Sequence, residues 1–228
     1  MRAALSHHCI LVEGIPGTGK TTAAKALVAG FERAGVGARW YLEEDHGHPV
    51  MPRPLLKQWR EADFGARCAA SFERFARSIP PDQTEVLEGT AFQSTARFLW
   101  AADRDEEIPG YLDGLARALE PVRPALLHLR PRDRARYFRE FVLPTRGPEW
   151  TAKLVTYVEG TARAKRLGWR GSEGLVEFWA RYGECADVWV AALPFPCRTF
   201  ETDRQKRPDF GHLVQEWLGE PDTSKEAR

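Results

Sequence analysis

The sequence predicts an α/β fold in three layers, with helices on both faces of a parallel sheet. Three observations carry that expectation. Short stretches that read as strands, the apolar runs 9–12 and 125–129 and the more mixed 38–42, 84–89 and 197–202, alternate with stretches of helical periodicity. The first run leads directly into Gly14-Ile15-Pro16-Gly17-Thr18-Gly19-Lys20-Thr21, which fits G-x-x-x-x-G-K-[ST] and is followed by the helical stretch 21–28. The second and third runs close on acidic residues, at the strand ends where open α/β sheets gather their ligands.

The glycine-rich stretch has a direct physical reading. Its glycines let the backbone curl until successive N–H groups converge on one concavity at the positive end of a helix, a receptor for phosphate oxygens. Gly14, Pro16, Gly17, Thr18, Gly19, Lys20, Thr21 and Thr22 are the nucleotide-binding set, with Lys20 reaching the β- and γ-phosphates and the Thr21 hydroxyl ligating Mg²⁺. On these residues the chain resembles the P-loop NTPase superfamily, which implies ATP with Mg²⁺ and leaves the acceptor open.

Composition narrows the function classes. The chain has 228 residues, enough for one α/β domain with an insertion, expected over 1–219 with a polar tail at 220–228. Its 33 basic and 32 acidic residues leave a net charge of +1, so no overall field favours nucleic acid or an anionic membrane. Cys9, Cys68, Cys185 and Cys197 show no C-x-x-C spacing, which argues against a zinc site or a disulfide framework and suits a reducing compartment. With no apolar run near the length of a bilayer span and no leader pattern, the expectation is a cytoplasmic protein. The adjacent His7 and His8 would face opposite ways on a strand and read as structural rather than as a metal pair.

After the first helix, Gly35 and Gly37 bracket the turn into the second strand, which ends in Glu43-Glu44-Asp45-His46-Gly47-His48-Pro49. A carboxylate there could take the proton of an acceptor hydroxyl or hold a water on Mg²⁺; a solvated acidic loop is the competing reading. Glu43 and Glu44 are placed ahead of Asp45, and His46 with His48 fits an ordinary turn as well as a metal pair. Residues 53–78 read as helical, with Trp59, Phe64, Phe72 and Phe75 as core aromatics, until Ile79-Pro80-Pro81 breaks the pattern.

The third strand ends at Glu88, which is the candidate to complete the Mg²⁺ shell. From Gly89 a helix is expected through Trp100, with Gln93 and Arg97 near the crevice and Gln93 either capping or touching substrate. A helix over 111–119 then leads to the apolar fourth strand, in which His128 reads as a hydrogen-bonded sheet residue. Behind it comes a basic run containing Arg130, Arg132, Arg134, Arg136 and Arg139. Helical register would set Arg132, Arg136 and Arg139 on one face, either closing over phosphates or paired in solvent with Asp133 and Glu140. The stretch from about 131 to 190 is expected to be a helical lid over the site, and the last strand is followed by a turn at 203–208 and a helix carrying Leu213, Val214 and Trp217.

Taken together, the layout resembles the nucleoside and nucleotide kinase branch of the P-loop superfamily, and is similar to thymidylate kinases and deoxynucleoside kinases. That resemblance implies a sheet order of 2-3-1-4-5, a catalytic carboxylate at Glu43 or Glu44, an acid near Mg²⁺ at Glu88, and a lid with Arg130, Arg132 and Arg136. It also implies adenine held by the turn that contains Arg204. Leu42-Glu43, His46-Gly47-His48-Pro49, Phe92-Gln93 and Pro148-Glu149-Trp150 are similar to a group of bacterial thymidylate-kinase-like proteins. Two features depart from the pattern: Gly89 stands where an arginine would follow the third-strand acid, and no thymidine signature is present. The expected activity is Mg-ATP-dependent phosphotransfer, with Lys20, Glu43, Glu44, Arg132 and Arg136 as catalytic groups. The acceptor is a small molecule such as a nucleoside, nucleotide, metabolite or antibiotic. An ATPase switch is the alternative, nucleic-acid end phosphorylation suits the charge balance least, and a homodimer is as open as a monomer.

Overall fold

The computed structural model describes residues 5–202 and 210–217. Five strands form one parallel sheet in the order β2-β3-β1-β4-β5, with β1 at Cys9–Gly14, β2 at Gly37–Tyr41, β3 at Gln83–Glu88, β4 at Ala125–Arg130 and β5 at Cys197–Glu201. Every pairing is parallel. This is the doubly wound arrangement expected, and its carboxyl edge gathers the ends of β1, β2 and β3.

Alternate residues of the central strands feed two separate cores. Ile10 and Val12 of β1 and Leu127 and Leu129 of β4 face one helical layer, α1 (Lys20–Arg33), with Leu27 and Phe31 buried among them. Cys9 and Leu11 of β1, Leu87 of β3 and Leu126 of β4 face the other. Burial on both faces accounts for the apolar runs of β1 and β4, which Glu13 and His128 interrupt, and each fully buried Leu or Ile contributes roughly 1.5–3 kcal/mol over exposure.

The second layer is built from several helices. The helical stretch expected over 53–78 divides into α2 (Arg53–Leu56) and α3 (Phe64–Ser78), because the chain turns through Lys57–Asp63 with short i→i−3 hydrogen bonds between them. The helix expected from Gly89 begins as a wide π-turn over Phe92–Ala96 before α4 (Arg97–Ala101). Next, α5 (Ile108–Leu119) packs on α3.

Beyond β4, α6 (Arg134–Tyr137) runs through a second π-turn, Phe138–Val142, into α7 (Leu143–Glu159). Helix α7 is broken at Gly147, whose φ of 80° precedes Pro148. Helix α8 (Ala162–Leu167) is capped by the Thr161 hydroxyl, and α9 (Gly171–Ala192) buries Phe178, Trp179 and Tyr182 against the central core. The stretch expected as a lid therefore has two characters: α6 and α7 arch past the phosphate loop, while α9 is a core helix. On the first face, α10 (Phe210–Trp217) packs on α1 through Leu213, Val214 and Trp217. No helix among the described residues is long and apolar enough to cross a membrane.

Candidate active site

The phosphate loop takes the curled form its sequence requires. Gly19 sits at the N-cap of α1 with φ of 89°, a left-handed conformation that L side chains avoid. The Thr18 hydroxyl closes the turn on the Ile15 carbonyl at 2.9 Å, and the Tyr137 hydroxyl donates to the Gly17 carbonyl at 2.7 Å, tying α6 to the loop. Lys20 Nζ donates to Gly14 O at 3.1 Å, to Ile15 O at 3.4 Å and to Gln93 Oε1 at 2.9 Å.

Register places the first acid beside this loop. Val12 pairs with Glu88 across β1 and β3, and the Thr21 hydroxyl donates to Glu88 Oε1 at 2.7 Å. The second oxygen, Oε2, is buried with no hydrogen-bond partner. Burial raises the Glu88 carboxyl above its usual range, against the Thr21 hydrogen bond and the Lys20 charge. A hydroxyl and a carboxylate with a spare buried oxygen are hard oxygen donors, so Thr21 and Glu88 fit Mg²⁺. No cluster of three or more His, Cys, Asp or Glu suited to a metal occurs among the described residues, so most of a Mg²⁺ shell would come from water and phosphate.

The acidic turn after β2 resolves into three different side chains. Glu43 turns inward, its Oε1 accepting from Gln93 Nε2 and its Oε2 buried without a partner. Glu44 is exposed. Asp45 accepts from its own turn, Leu42 N, at 3.1 Å. Burial raises Glu43 to about 7, opposed by Lys20 and Arg97. Gly89, at φ of 63°, lies against Glu43, and a Cβ there would collide with Oε2. The glycine that replaces an expected arginine thus makes room for the carboxylate.

His48 does not serve as a metal ligand here. Val50 N and Met51 N donate to its Nδ1 at 3.1 and 3.0 Å, which assigns the ring proton to Nε2, 3.2 Å from the Thr90 hydroxyl. Burial lowers it to about 4, and it acts as a neutral clamp between the β2 and β3 turns. In β4, His128 is likewise lowered to about 4 by burial, 3.7 Å from Asp187 of α9. His7 and His8 bond backbone carbonyls of Arg123 and Gln83.

Glu13, the last side chain of β1 before Gly14, escaped the sequence reading. It is fully buried, and its carboxylate accepts from the N–H groups of Ala91, Phe92 and Gln93 at 2.7, 3.1 and 3.4 Å, capping the π-turn and so aiming Gln93. Burial raises it to about 7 against the Phe92 and Ala91 hydrogen bonds and the Lys20 charge. An acid inside an apolar strand was the available signal.

Two clefts meet over the loop. The larger, about 570 Å³, is lined by Lys20, Glu43, Gln93, Arg97, Trp150 and Trp179 among others, with Pro16 at its phosphate end. The smaller, about 250 Å³, lies over Gly17, Gly19, Thr21 and Thr22. Lys20, Glu88 and Arg146 line both.

The arginine-rich segment is arranged differently from its expected register. Helix α6 starts at Arg134, and Asp133 is its N-cap, accepting from Arg136 N at 2.9 Å; Arg132 lies outside the helix and shares no helical face with Arg136. Arg132 is 66% exposed and 3.9 Å from Glu201, and Arg136 is 70% exposed and paired with Glu140 at 2.8 Å. Arg130 lies 3.7 Å from Glu201 and 3.8 Å from Asp187. It is Arg134 that turns inward, bound to Asp187. None of these arginines lines either cleft; Arg53, Arg97 and Arg146 do. Arg204 lies outside the described residues.

No family model and no curated protein matches the chain. Among solved structures, it is similar to a shikimate kinase from Bacteroides thetaiotaomicron, at 14% identity and a TM-score of 0.46, over 92% of this chain and 93% of that one. The sheet order and the loop at residues 14–21 are those of a P-loop α/β fold.

Proposed function

We propose that the chain is a Mg-ATP-dependent phosphotransferase acting on a small-molecule hydroxyl or phosphate. The observation that carries this is the hydrogen-bonded series Lys20–Gln93–Glu43, which joins the phosphate loop to a buried carboxylate in an adjoining cleft of about 570 Å³. A hydrolase needs only a water beside the phosphates; a second cleft of this size, walled by aromatic side chains, suits an organic acceptor.

The loop amides and Lys20 would hold the triphosphate, with Thr21 and Glu88 toward Mg²⁺. When bound, the metal supplies charge neutralisation at the transferring phosphoryl group. Glu43 accepts the proton of the acceptor hydroxyl as its oxygen bonds to the γ-phosphorus and the bond to the bridging oxygen breaks, releasing ADP, and a carboxyl near 7 is suited to that exchange at neutral pH. Arg146, common to both clefts, offers a guanidinium where the two substrates meet.

The test is a mass-shift screen of nucleosides, nucleotides, hydroxy acids and amino-sugar alcohols with Mg-ATP. Transfer to at least one acceptor is expected, with Lys20→Ala abolishing it while circular dichroism stays unchanged. An unaltered transfer rate in Lys20→Ala would exclude the assignment.

A further inference from the structure

Arg97 has the surroundings of a guanidinium prepared for an anion. Its Nε donates to the Gln93 carbonyl at 2.8 Å and its Nη1 to the Tyr157 hydroxyl at 2.7 Å, both neutral acceptors. Its charged carbon lies 4.4, 5.2 and 5.4 Å from the ring centroids of Phe98, Tyr157 and Trp179. No carboxylate comes within ion-pair distance of it among the described residues, and Nη2 has no hydrogen-bond partner there.

No acid of the same cleft forms an ion pair with Arg97, although Glu43 and Glu88 each keep a second oxygen without a hydrogen-bond partner and the charges of Glu43 and Arg97 act on each other through space. Glu43 is held by Gln93, Glu88 by Thr21 and Asp45 by Leu42 N, while Glu44 stands exposed at the rim. On the Arg97 side, the buried Trp179 Nε1–H also lacks an acceptor. Arg53 and Arg146 stand exposed along the same cleft, and neither forms an ion pair among the described residues. A half-buried guanidinium hydrogen-bonded only to neutral partners, with Glu43 acting on it through space and not as an ion pair, gains when an anion pairs with it directly, and the flat aromatic wall keeps its plane oriented for a two-oxygen partner.

We infer that the larger cleft takes an anionic acceptor, with Arg97 as the residue that meets its carboxylate or phosphate. The inference rests on reading this cleft as the acceptor site. The reacting hydroxyl or phosphate oxygen then lies toward Glu43 and the loop, and the recognised anion toward Arg97, Arg53 and Arg146. Neutral nucleosides and cationic amino-sugars are the classes such a site discriminates against, because they leave the guanidinium unpaired.

Titration calorimetry on the full chain tests this independently of phosphotransfer. Benzoate, phenyl phosphate and benzyl alcohol serve as probes of matched size, on the wild type and on Lys20→Ala, which separates anion binding in the cleft from phosphate binding at the loop. Benzoate, phenyl phosphate or both are expected to bind in each protein, and benzyl alcohol on the order of 10–100-fold more weakly. Binding of phenyl phosphate alone assigns a phosphate monoester, and of benzoate alone a hydroxy acid. Arg97→Gln should weaken the anions by a similar factor and leave benzyl alcohol unaffected. Equal affinity for neutral and anionic probes, or unchanged anion affinity in a folded Arg97→Gln, overturns the inference. If Arg97→Gln does not fold, the wild-type comparison of neutral and anionic probes decides alone. Absence of phosphotransfer with every acceptor would refute the kinase reading and leave the calorimetric result standing.

Discussion

Gln93 holds Lys20 and Glu43 at once: its carbonyl oxygen lies 2.9 Å from the lysine ammonium, and its amide N–H donates to the carboxylate. One amide group thereby sets the distance between the phosphate loop and the candidate base. Gln93→Ala should lower kcat by roughly 10–100-fold, since misplacement of a reacting group on the scale of an ångström has that effect. It should also raise the apparent pKa of Glu43, because the donor that favours the charged carboxylate is lost. A pH–rate profile of the variant checks both, and an unmoved profile would show that Gln93 is only packing.

The proposed role of Glu43 as proton acceptor predicts a specific pH dependence. With its carboxyl at about 7, activity should rise as pH increases through 7 and level off above 8. Glu43→Gln should abolish that limb and reduce kcat by on the order of 10²–10⁴-fold, with ATP affinity nearly unchanged. Glu44→Gln, altering an exposed carboxyl, should shift kcat by no more than about twofold.

The Thr21–Glu88 contact at 2.7 Å predicts coupled metal dependence. Thr21→Ala and Glu88→Gln should each raise the Mg²⁺ concentration for half-maximal activity by about tenfold or more. The double variant should fall short of the summed effects, since both changes break one shared arrangement. Full additivity in a Mg²⁺ titration would place the two residues in separate roles.

Which arginine meets the transferring group can be decided by paired substitutions. Arg146, common to both clefts, should cost about 10²-fold in kcat on mutation to Ala. Arg136 is mostly exposed and paired with Glu140, so Arg136→Ala should stay within about twofold. The opposite ranking in steady-state rates would mean that α6 swings its arginines over the phosphates during turnover.

Stability should respond to acid through His48. Its folded pKa of about 4 lies below the unfolded value near 6.5, so the unfolded chain gains a proton first as pH falls. The stabilisation is complete above 6.5 and declines between 6.5 and 4, by on the order of 3 kcal/mol at most. His128, also lowered to about 4, adds to this loss in the same window. Glu13 and Glu43, raised to about 7, act with the opposite sign, favouring the folded state progressively as pH falls from 7 toward 4.5. His48→Asn should therefore be less stable than wild type at pH 8 by about 1–2 kcal/mol, with the gap narrowing at pH 5 in urea unfolding.

What the sequence determined by itself was set by short-range geometry. The loop from Gly14 to Thr21 is legible because consecutive backbone amides build it, and the apolar runs of β1 and β4 are legible because both faces of those strands are buried. Glu88 was legible as an acid closing the third strand, and its neighbourhood to the phosphate strand came from the resemblance, with the structure placing it against Thr21. Only the tertiary structure decided which of Glu43, Glu44 and Asp45 turns inward, because Gly89 supplies the space from a strand that is distant in sequence. It also decided that Arg97 and Arg146 line the cleft while Arg132 and Arg136 face solvent. Long guanidinium side chains reach several ångströms from their helices, and whether they meet a cleft or a neighbouring acid depends on packing between elements that no local pattern encodes.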